Sequence, residues 1–421
     1  MGKTPDPSPD ADAGPCTVRR WRMLAHAVAV AACVTILGVA ACRGSEEPII
    51  PAPEPLDPAL VTEGKDIFRF DTFGDEQYWT DTLRMHEVIQ SAVTPVAALG
   101  VGLKVDVDAL PAAVRSALAA GQVDLDSPQT TLALIELDAV LGIKGEVRTD
   151  MTGRKTLARV GITCALCHST VDNSFARGIG RRIDGAPNVD LNPGAIVALS
   201  PAVPAATKAV LNGWGPGKYD PRINMDGLNT PLVLPPAYGL NGVARETFTA
   251  EGPVSYWNAY VAVTQMHGRG SFSDPRLNIN VTQTPDMVTP KLAALRAYQL
   301  SLEPPPPPVG SFDAQAAARG RTLFAGAAGC ASCHAGARFT DVNDGVLHAP
   351  GETGMDPRYA ARTTQKRYRT TPLRGLWQHA PYFHDGSAAT LADVVAHYDR
   401  TRNLRLTDAQ KRDLVEYLKT L

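Results

Sequence analysis

Two short cysteine and histidine motifs contain the residues of this chain whose types and spacing best suit chemistry. The pattern C-x-x-C-H occurs at residues 164–168 and again at residues 330–334. This is the attachment signature of c-type haem, because two thiols add to the vinyl groups of one porphyrin and the next residue offers an imidazole to the iron. We therefore predict two covalently bound haem c groups. The attachment residues are Cys164, Cys167, Cys330 and Cys333, and the proximal iron ligands are His168 and His334.

The other cysteines agree with this prediction. The chain has seven cysteines, and the three outside the motifs, Cys16, Cys33 and Cys42, all lie near the N-terminus. No pair is left for a structural disulfide in the body of the protein. A four-cysteine zinc site is the alternative, since paired C-x-x-C motifs also bind zinc. Zinc would leave the histidine after each motif unexplained.

The N-terminus has the features of an export signal. Arginines at positions 19, 20 and 22 precede an apolar run at residues 24–41, which ends in V-A-A-C at residues 39–42 and resembles a bacterial lipobox. We predict a lipoprotein signal peptide at residues 1–41, lipid attachment at Cys42 and a proline-rich tether at residues 42–60. An uncleaved transmembrane anchor is the alternative, although the run is near the lower length limit for spanning a bilayer.

Both alternatives place the body of the protein outside the cytoplasm, on the periplasmic side of a bacterial envelope. Arg43, directly after the acylated cysteine, favours an outer-membrane address. The formal net charge of −2 argues against nucleic-acid binding by a basic surface. The 44% content of hydrophobic residues is that of a globular protein, and the chain beyond Cys42 is long enough for two domains.

A run of five prolines at residues 304–308 separates two segments that each contain one haem motif. Such a run adopts polyproline II and acts as a semi-rigid spacer. We therefore predict an N-terminal haem c domain at residues 61–302, a Pro-rich linker at residues 303–310 and a C-terminal cytochrome c domain at residues 311–421.

A faint internal repeat supports two related units. G-K-D-I-F at residues 64–68 parallels G-R-T-L-F at residues 320–324, but far more residues separate the first segment from its haem motif. The extra residues have helical patterns, so we predict a helical insertion over or beside the first haem. The fold class is mainly α, with two cytochrome c-like haem domains. The predicted inserted helices span residues 79–91, 110–120 and 130–141.

Residues 320–400 resemble the second half of the bacterial di-haem cytochrome c peroxidase and MauG superfamily. The N-terminal unit matches less well, since it keeps the haem motif but lacks the acidic distal motif of the peroxidases in its usual context. The rubber oxygenases share the two-haem plan and are a more distant comparison. The matching segments are G-C-A-S-C-H at 329–334, R-F-T-D at 338–341, T-T-P-L-R-G-L at 370–376, A-P-Y-F-H-D-G-S at 380–387 and A-T-L-A-D-V-V at 389–395.

The resemblance implies a distal ligand for the second haem, fourteen residues after the histidine of the P-Y-x-H-D-G segment. Counting from His384 gives Tyr398. Typical peroxidases have Met at this place, and MauG-like proteins have Tyr. A phenolate ligand stabilises ferric iron relative to Met. His397 and Met355 are the rival ligands, and an open position is the remaining alternative.

The distal side of the first haem has three candidate ligands. Met266 and His267 lie at the end of an apparent helix at residues 254–267, and His86 lies on a predicted inserted helix. Neighbouring residues of a helix cannot both face one iron, so Met266 and His267 exclude each other. A five-coordinate iron is the alternative, and peroxidase or oxygenase chemistry would need one.

The resemblance implies further roles for residues between the haems. Trp257 or Trp377 would carry electrons between the two irons, with simple packing as the alternative for each. His384 would lie close to the second haem or to the domain junction. The superfamily also holds a calcium ion between its domains, and here the backbone carbonyls of His379 and Pro381 would contribute ligands.

Charged residues supply the remaining candidates. Glu246 and Glu251 are candidate acid–base groups for cleaving an O–O bond. Three acids after the first motif are predicted to be solvated surface groups, and three nearby arginines to pair with haem propionates. The acids are Asp172, Asp184 and Asp190, and the arginines are Arg177, Arg181 and Arg182.

Two classes of function follow from these residues. The first is an oxidoreductase that reduces hydrogen peroxide, with a small periplasmic cytochrome or cupredoxin as electron donor. The second is a pure electron-transfer cytochrome with two six-coordinate irons and no substrate. A MauG-like or rubber-oxygenase-like oxidase is a variant of the first class. A redox sensor or scaffold lipoprotein with structural haems is a more remote alternative.

Overall fold

Residues 53–421 are described by a computed structural model. The predicted signal peptide, the lipid-attachment residue Cys42 and residues 42–52 of the predicted tether lie outside the described residues. The first helix begins at Pro58, so the last residues of the predicted tether are helical. In the part of the chain that the structure describes, no helix is both long and apolar enough to cross a bilayer.

Helices supply most of the regular structure in this part of the chain, as the mainly α prediction requires. A π-helix at Gln77–Thr82 and several short 3₁₀ turns join them. The α-helices α1 to α16 span Pro58–Phe70, Met85–Ala92, Pro95–Gly100, Ala112–Ala119, Pro128–Glu136, Ala165–His168, Pro193–Ala198, Ala205–Asn212, Ile223–Asp226, Val254–Thr264, Leu292–Ser301, Ala314–Ala325, Pro350–Thr353, Pro357–Ala361, Leu391–Thr401 and Asp408–Leu418.

The strands of residues 53–421 are short and pair two by two. Strand β1 pairs with β5 in parallel, whereas β2–β3, β4–β6, β7–β8 and β9–β10 are antiparallel. Strands β1 to β10 span Val105–Asp106, Ile143–Thr149, Lys155–Ile162, Ser169–Val171, Ile179–Gly180, Arg182–Asp184, Lys218–Tyr219, Leu232–Val233, Phe272–Asp274 and Ile279–Val281.

The insertion before the first haem motif is mixed, which corrects the prediction of a helical insertion. Helices α4 and α5 form near their predicted places, but the predicted helix at 79–91 is divided at Arg84, whose φ is 56°. The hairpin β2–β3 was not predicted. It buries Leu157 and Val160 against the insertion. Strand β2, I-K-G-E-V-R-T, is mostly polar and has no buried residue, so no alternation of apolar and polar side chains marked it in the sequence.

Helices α1 and α11 cross at Gly64. A β-carbon on Gly64 would lie 1.9 Å from the carbonyl oxygen of Ala294, so glycine is required for this close approach. One turn further along α1, Phe68 is fully buried and meets the ring of Tyr298 edge-on, with 5.5 Å between centroids. Asp57 caps the N-terminus of α1 through its side chain.

Helices α12 and α16 repeat this arrangement in the second half of the chain. A β-carbon on Gly320 would lie 2.0 Å from the carbonyl oxygen of Asp413. Phe324, one turn further, meets Tyr417 edge-on with 5.2 Å between ring centroids. Thr407 caps α16 as expected, with its side chain accepting from the N–H of Gln410. The repeat predicted from the two G-x-x-x-F segments is therefore present in the fold.

The five prolines lie between these two helix crossings. They follow α11, and the indole N–H of Trp377 donates to the carbonyl oxygen of Pro305 at 3.3 Å. Just before them, the N–H of Gly239 donates to the carbonyl oxygen of Leu302 at 2.8 Å. The segment therefore lies against residues from both halves of the chain. Its role as a linker between two separate domains stays a prediction.

Candidate haem sites

The first C-x-x-C-H motif follows strand β3 directly and folds into the one-turn helix α6. The Nδ1 atom of His168, the last residue of this turn, lies 3.0 Å from the carbonyl oxygen of Pro235. Burial lowers the pKa of His168, so its imidazole is neutral. A neutral ring that donates from Nδ1 to a carbonyl keeps a lone pair on Nε2.

The second motif has the same internal chemistry in a different local structure. Gly329, with φ of 62°, opens a 3₁₀ turn at Cys330–Ser332. The Nδ1 atom of His334 lies 3.1 Å from the carbonyl oxygen of Phe339. Burial also lowers the pKa of His334. Nε2 is therefore free to ligate a metal here as well.

The residues of both motifs fit a covalently bound haem. Metal-binding histidines typically donate their other ring nitrogen to a carbonyl, which fixes the tautomer and orientation of the ring. The four motif cysteines are free thiols. Burial raises the pKa of Cys164 and Cys167 to about 12 and that of Cys330 to about 11. Each motif therefore has two free thiols and one imidazole, as haem c requires.

The four thiols do not gather into one zinc site. Among residues 53–421, one group of at least three Cys, His, Asp or Glu side chains has its potential ligand atoms within 4.8 Å of one another. That group is Cys333, Asp341 and His348. It contains one thiol. The structure therefore argues against the four-cysteine zinc alternative.

Asp341, His348 and Glu352 form a polar chain that the sequence prediction missed. His348 lies 2.9 Å through Nε2 from Asp341 and 3.1 Å through Nδ1 from Glu352. Asp341 is 6% exposed and raises the pKa of His334, while burial of His334 outweighs that effect. These three side chains therefore connect the exposed Glu352 with the surroundings of the second motif. The matched segment R-F-T-D included Asp341, but nothing in the sequence linked it to His348.

The three candidate ligands of the second haem differ in their surroundings. Both residues 397 and 398 lie on α15, and the Nε2 atom of His397 lies 2.8 Å from the carbonyl oxygen of Thr353. Burial raises the pKa of Tyr398 to about 12, with smaller contributions from Cys333 and Cys330. Tyr398 therefore lies near the second pair of thiols. Met355 is half-buried, directly before α14.

The structure corrects the helix predicted at residues 254–267. Helix α10 ends at Thr264, and His267 has a left-handed φ of 63°. The N–H of Gly268 donates to the carbonyl oxygen of Ala262 at 2.8 Å, a bond that closes a helix C-terminus. The two-glycine sequence G-R-G at residues 268–270 was the signal for this end.

His267 and Met266 consequently differ in their surroundings. The ring of His267 stacks on Tyr78, with 3.7 Å between centroids, and burial lowers its pKa. Met266 is 4% exposed within the core that contains α1 and α11. The third candidate, His86, lies on α2, which packs against α5 and β3 inside the insertion. Its buried Nδ1 atom has no hydrogen-bond partner among the described residues.

Tyr219 is a residue near the first motif that the sequence prediction missed. Its hydroxyl donates to Oε1 of Gln265 at 2.8 Å, and its ring packs in the cluster that contains Leu166 and Cys167. Burial, followed by the effect of Cys167, raises the pKa of this phenol above its usual range. Tyr219 is therefore a protonated group beside the first motif. The pairing of β7 with β8 places it there, and no local sequence signal indicated this.

Glu246 and Glu251 are both buried and engaged in ion pairs. Glu246 is 2.5 Å from Arg296 and also accepts the N–H of Val254. Glu251 is 2.6 Å from Arg222, and both of these side chains are almost fully buried. Carboxylates held in such pairs have structural partners. The structure therefore supplies a structural role for both candidate acids.

Trp257 belongs to an aromatic cluster that joins the two halves of the chain. The guanidinium of Arg222 lies 5.6 Å from its ring centroid, and Phe248 stacks on it at 6.2 Å. Phe248 in turn lies 5.5 Å from Tyr359 of the second half. The indole nitrogen of Trp257 is buried without a hydrogen-bond partner among residues 53–421. Trp377 instead contacts the proline segment.

Not all acids after the first motif are solvated, which corrects that prediction. Asp184 is buried and accepts from Arg69 and Tyr298, each at 2.6 Å. Asp190 pairs with Lys104, and Asp172 accepts backbone N–H groups, including that of Arg181. Arg182 is buried beside Asp106, whereas Arg177 is largely exposed. Asp184 and Arg182 therefore contribute to the packed interior.

The segment predicted to contribute to calcium binding lies at the contact between the halves. His379 accepts from the hydroxyl of Tyr238 at 2.7 Å, and the peptide bond before Pro381 is cis. His384 lies 3.2 Å from the hydroxyl of Tyr368, and its carbonyl oxygen accepts from the N–H of Val233. His384 is therefore at the junction, one of its two predicted places. Calcium binding stays a prediction.

Comparisons with known proteins show what this chain is similar to. The family described as RoxA-like, cytochrome c-like matches residues 367–405. Methylamine utilization protein MauG of Methylorubrum extorquens is 37% identical over 120 residues, which are 25% of this chain and 34% of that protein. Cytochrome-c peroxidase IdrP1 of Denitromonas iodatirespirans is 28% identical over 149 residues, 25% of this chain and 40% of that protein.

Hydrazine synthase subunit gamma of Kuenenia stuttgartiensis is 28% identical over 252 residues, which are 50% of this chain and 65% of that protein. The matched regions therefore span from 34% to 65% of the length of these relatives.

Paired thiols followed by a neutral, oriented histidine define a c-type cytochrome with redox activity. The comparisons confirm the predicted resemblance to the MauG and di-haem cytochrome c peroxidase superfamily.

Proposed function

We propose that this protein is an exported di-haem c-type cytochrome that transfers electrons and reduces hydrogen peroxide. The observation that carries the proposal is the orientation of His168 and His334, each of which gives Nδ1 to a backbone carbonyl and keeps Nε2 free. Each imidazole stands in sequence directly after a pair of thiols. When bound, haem supplies one-electron redox chemistry at each site.

The residues of this chain hold and separate the two haems. Cys164 and Cys167 would anchor one, and Cys330 and Cys333 the other. Tyr398 is the proposed distal ligand at the second site, because it lies near that thiol pair while His397 donates to Thr353. The aromatic cluster of Trp257, Phe248 and Tyr359 provides a route for electrons between the halves.

At the first site His267 is the proposed distal group. Its stacking on Tyr78 orients the ring, and burial keeps it neutral at pH 7. The protonated phenol of Tyr219 is close to Cys167, and it could donate a hydrogen bond to a substrate only by releasing Oε1 of Gln265. Two polar groups thus take the place of the acidic motif that the N-terminal unit lacks.

The second candidate function is pure electron transfer without substrate turnover. The ion pairs of Glu246 and Glu251 favour it, because both buried glutamates already have arginine partners. In either case we propose a periplasmic location, a lipid anchor at Cys42 in the outer membrane, and a small cytochrome or cupredoxin as donor. An oxidase related to MauG or the rubber oxygenases is the alternative enzyme.

The test is spectroscopy of the full chain, purified from a strain competent in cytochrome maturation. We expect two haems per chain, and one after Cys164→Ala/Cys167→Ala replacement or after the matched Cys330→Ala/Cys333→Ala replacement. A colourless protein, or zinc at these thiols, would refute the haem assignment.

Ligand assignment and turnover need separate measurements. Tyr398→Phe should change the ferric spectrum of the second haem, whereas His397→Gln, the matched neighbour on the same helix, should leave it unchanged. After partial reduction, one haem should be high-spin and the protein should consume peroxide. Two low-spin haems in every redox state, with no turnover, would support the carrier instead.

A further inference from the structure

A largely apolar cavity lies inside the insertion, beside the first haem motif. It occupies about 70 Å³ between α2, α3, α5 and the hairpin β2–β3, and its lining is apolar apart from Thr131 on α5. Met85 and Ile89 contribute from α2, Ala98 from α3, Ile135 from α5 and Val160 from β3. It is the space left between elements that pack around Leu132 and Leu157, so it belongs to the folded core of the insertion.

One wall of the cavity is shared with the first haem motif. Leu166 stands between Cys164 and Cys167 in sequence, and it lines the cavity. Ile143 and Ile162 also line it, and both pack in the cluster that contains Leu166 and Cys167. A single layer of side chains therefore separates the cavity from the thiols that would hold the first haem.

The lining decides which molecules can enter. Thr131 brings a hydroxyl to the lining, and this hydroxyl has no hydrogen-bond partner among residues 53–421. A buried water needs two to four polar partners, so one hydroxyl leaves most hydrogen bonds of water or hydrogen peroxide unmade, at a cost of roughly 2–7 kcal/mol for each uncompensated polar group. Cavities with an apolar lining stay dry and bind apolar guests such as xenon or benzene. The known benzene-binding cavity has about 150 Å³, so this one, at about 70 Å³, suits a smaller molecule.

We propose that this cavity is a binding site for one small apolar molecule, of the size class of dioxygen, next to the first haem motif. The site is distinct from Tyr219 and His267, the polar groups proposed to act at the first haem. It does not rest on the proposed peroxide reduction. A guest that binds here is neutral and apolar, because the single hydroxyl of Thr131 cannot satisfy the hydrogen bonds of peroxide.

Xenon is the probe, since it is apolar and scatters strongly. In crystals of the holoprotein under xenon pressure we expect a xenon peak between Met85, Ile135 and Leu166. Ala98→Leu should remove that peak, because Ala98 is buried at the wall of the cavity. Ala97→Leu is the matched control on the same helix, since Ala97 is exposed, and it should keep the peak.

A second variant protects the test against a failure of Ala98→Leu to fold. Ile89→Ala enlarges the cavity, so it should bind xenon at lower pressure than the unchanged protein, at the same position. Ordered water in place of xenon, no xenon in the unchanged protein, or a peak that Ala98→Leu leaves intact would each overturn the proposal. None of these outcomes depends on peroxide turnover.

Discussion

The two helix crossings, α1 with α11 and α12 with α16, have nearly the same contacts between their helices but very different surroundings. Both place a glycine against a backbone carbonyl and a phenylalanine edge-on to a tyrosine. Around the first crossing, Tyr298 donates to Asp184, and the large insertion stands in sequence between α1 and the haem motif. The second crossing has only a short turn before its motif.

The histidines of the two motifs show the same contrast. His334 finds its carbonyl acceptor five residues away, whereas the acceptor of His168 lies 67 residues further along the chain. The chemistry of the bond is identical, but the orientation of His334 is set locally whereas that of His168 depends on distant packing. The helix crossing is therefore common to both halves of the chain, whereas the loops around it determine what each site can do.

The largest expected effect is at the buried ion pair of Arg222 and Glu251, where Arg222 also contacts Tyr359 of the second half. Arg222→Met would leave Glu251 buried without a counter-charge, which costs roughly 3–5 kcal/mol. Denaturant unfolding of the full chain measures this loss. The double variant Arg222→Met/Glu251→Met should recover much of it, and an equal loss in the double variant would contradict the explanation.

The equivalence of the two crossings gives the next largest effect. Gly64→Ala and Gly320→Ala each place a methyl group into a backbone carbonyl, and overpacking of this kind costs roughly 1–3 kcal/mol. Gly351→Ala in helix α13 is the matched control, since its β-carbon would meet no atom within 4 Å. Thermal unfolding should show losses for the first two variants alone. A loss at only one crossing would disprove their equivalence.

A smaller effect is expected from Asp75 in the first half of the chain, where folding stability should fall as the pH rises. Burial raises the pKa of Asp75 to about 9, so the folded state keeps a proton that the unfolded state releases near pH 4. Stability should therefore fall as the pH rises from about 4 to 9. Asp75→Asn keeps an acceptor for the N–H of Ile162 and should flatten this decline. The measurement is the unfolding midpoint at pH 6 and pH 8, and an unchanged slope would refute the assignment.

The second unit should respond in the opposite sense. Burial lowers the pKa of His379 to about 4, so the unfolded state gains a proton near pH 6.5 that the folded state refuses. Stability should fall as the pH drops from about 6.5 to 4. His379→Gln, which keeps an acceptor for Tyr238, should reduce this loss. The unfolding midpoints of the unchanged protein and of His379→Gln at pH 5 and pH 7 test this prediction. An equal change of midpoint between the two pH values in both proteins would contradict it.

The sequence predicted those features that depend on local spacing. The C-x-x-C-H motifs, the capped last helix and the two G-x-x-x-F segments each lie within a few residues of chain, so their physical requirements are visible in the order of residues. The resemblance of residues 320–400 to the superfamily is confirmed for the same reason, since its matching segments are short and closely spaced.

Tertiary structure decided the features that join distant residues. The carbonyl partner of His168, the place of Tyr219 and the ion pairs of Glu246 and Glu251 all involve contacts across many residues, and no local pattern encodes them. Helix α10 ends before His267 because the N–H of Gly268 closes it, although the residue pattern at 254–267 is otherwise helical. Spacing along the chain therefore determined which groups could hold haem, and long-range packing determined what surrounds each of them.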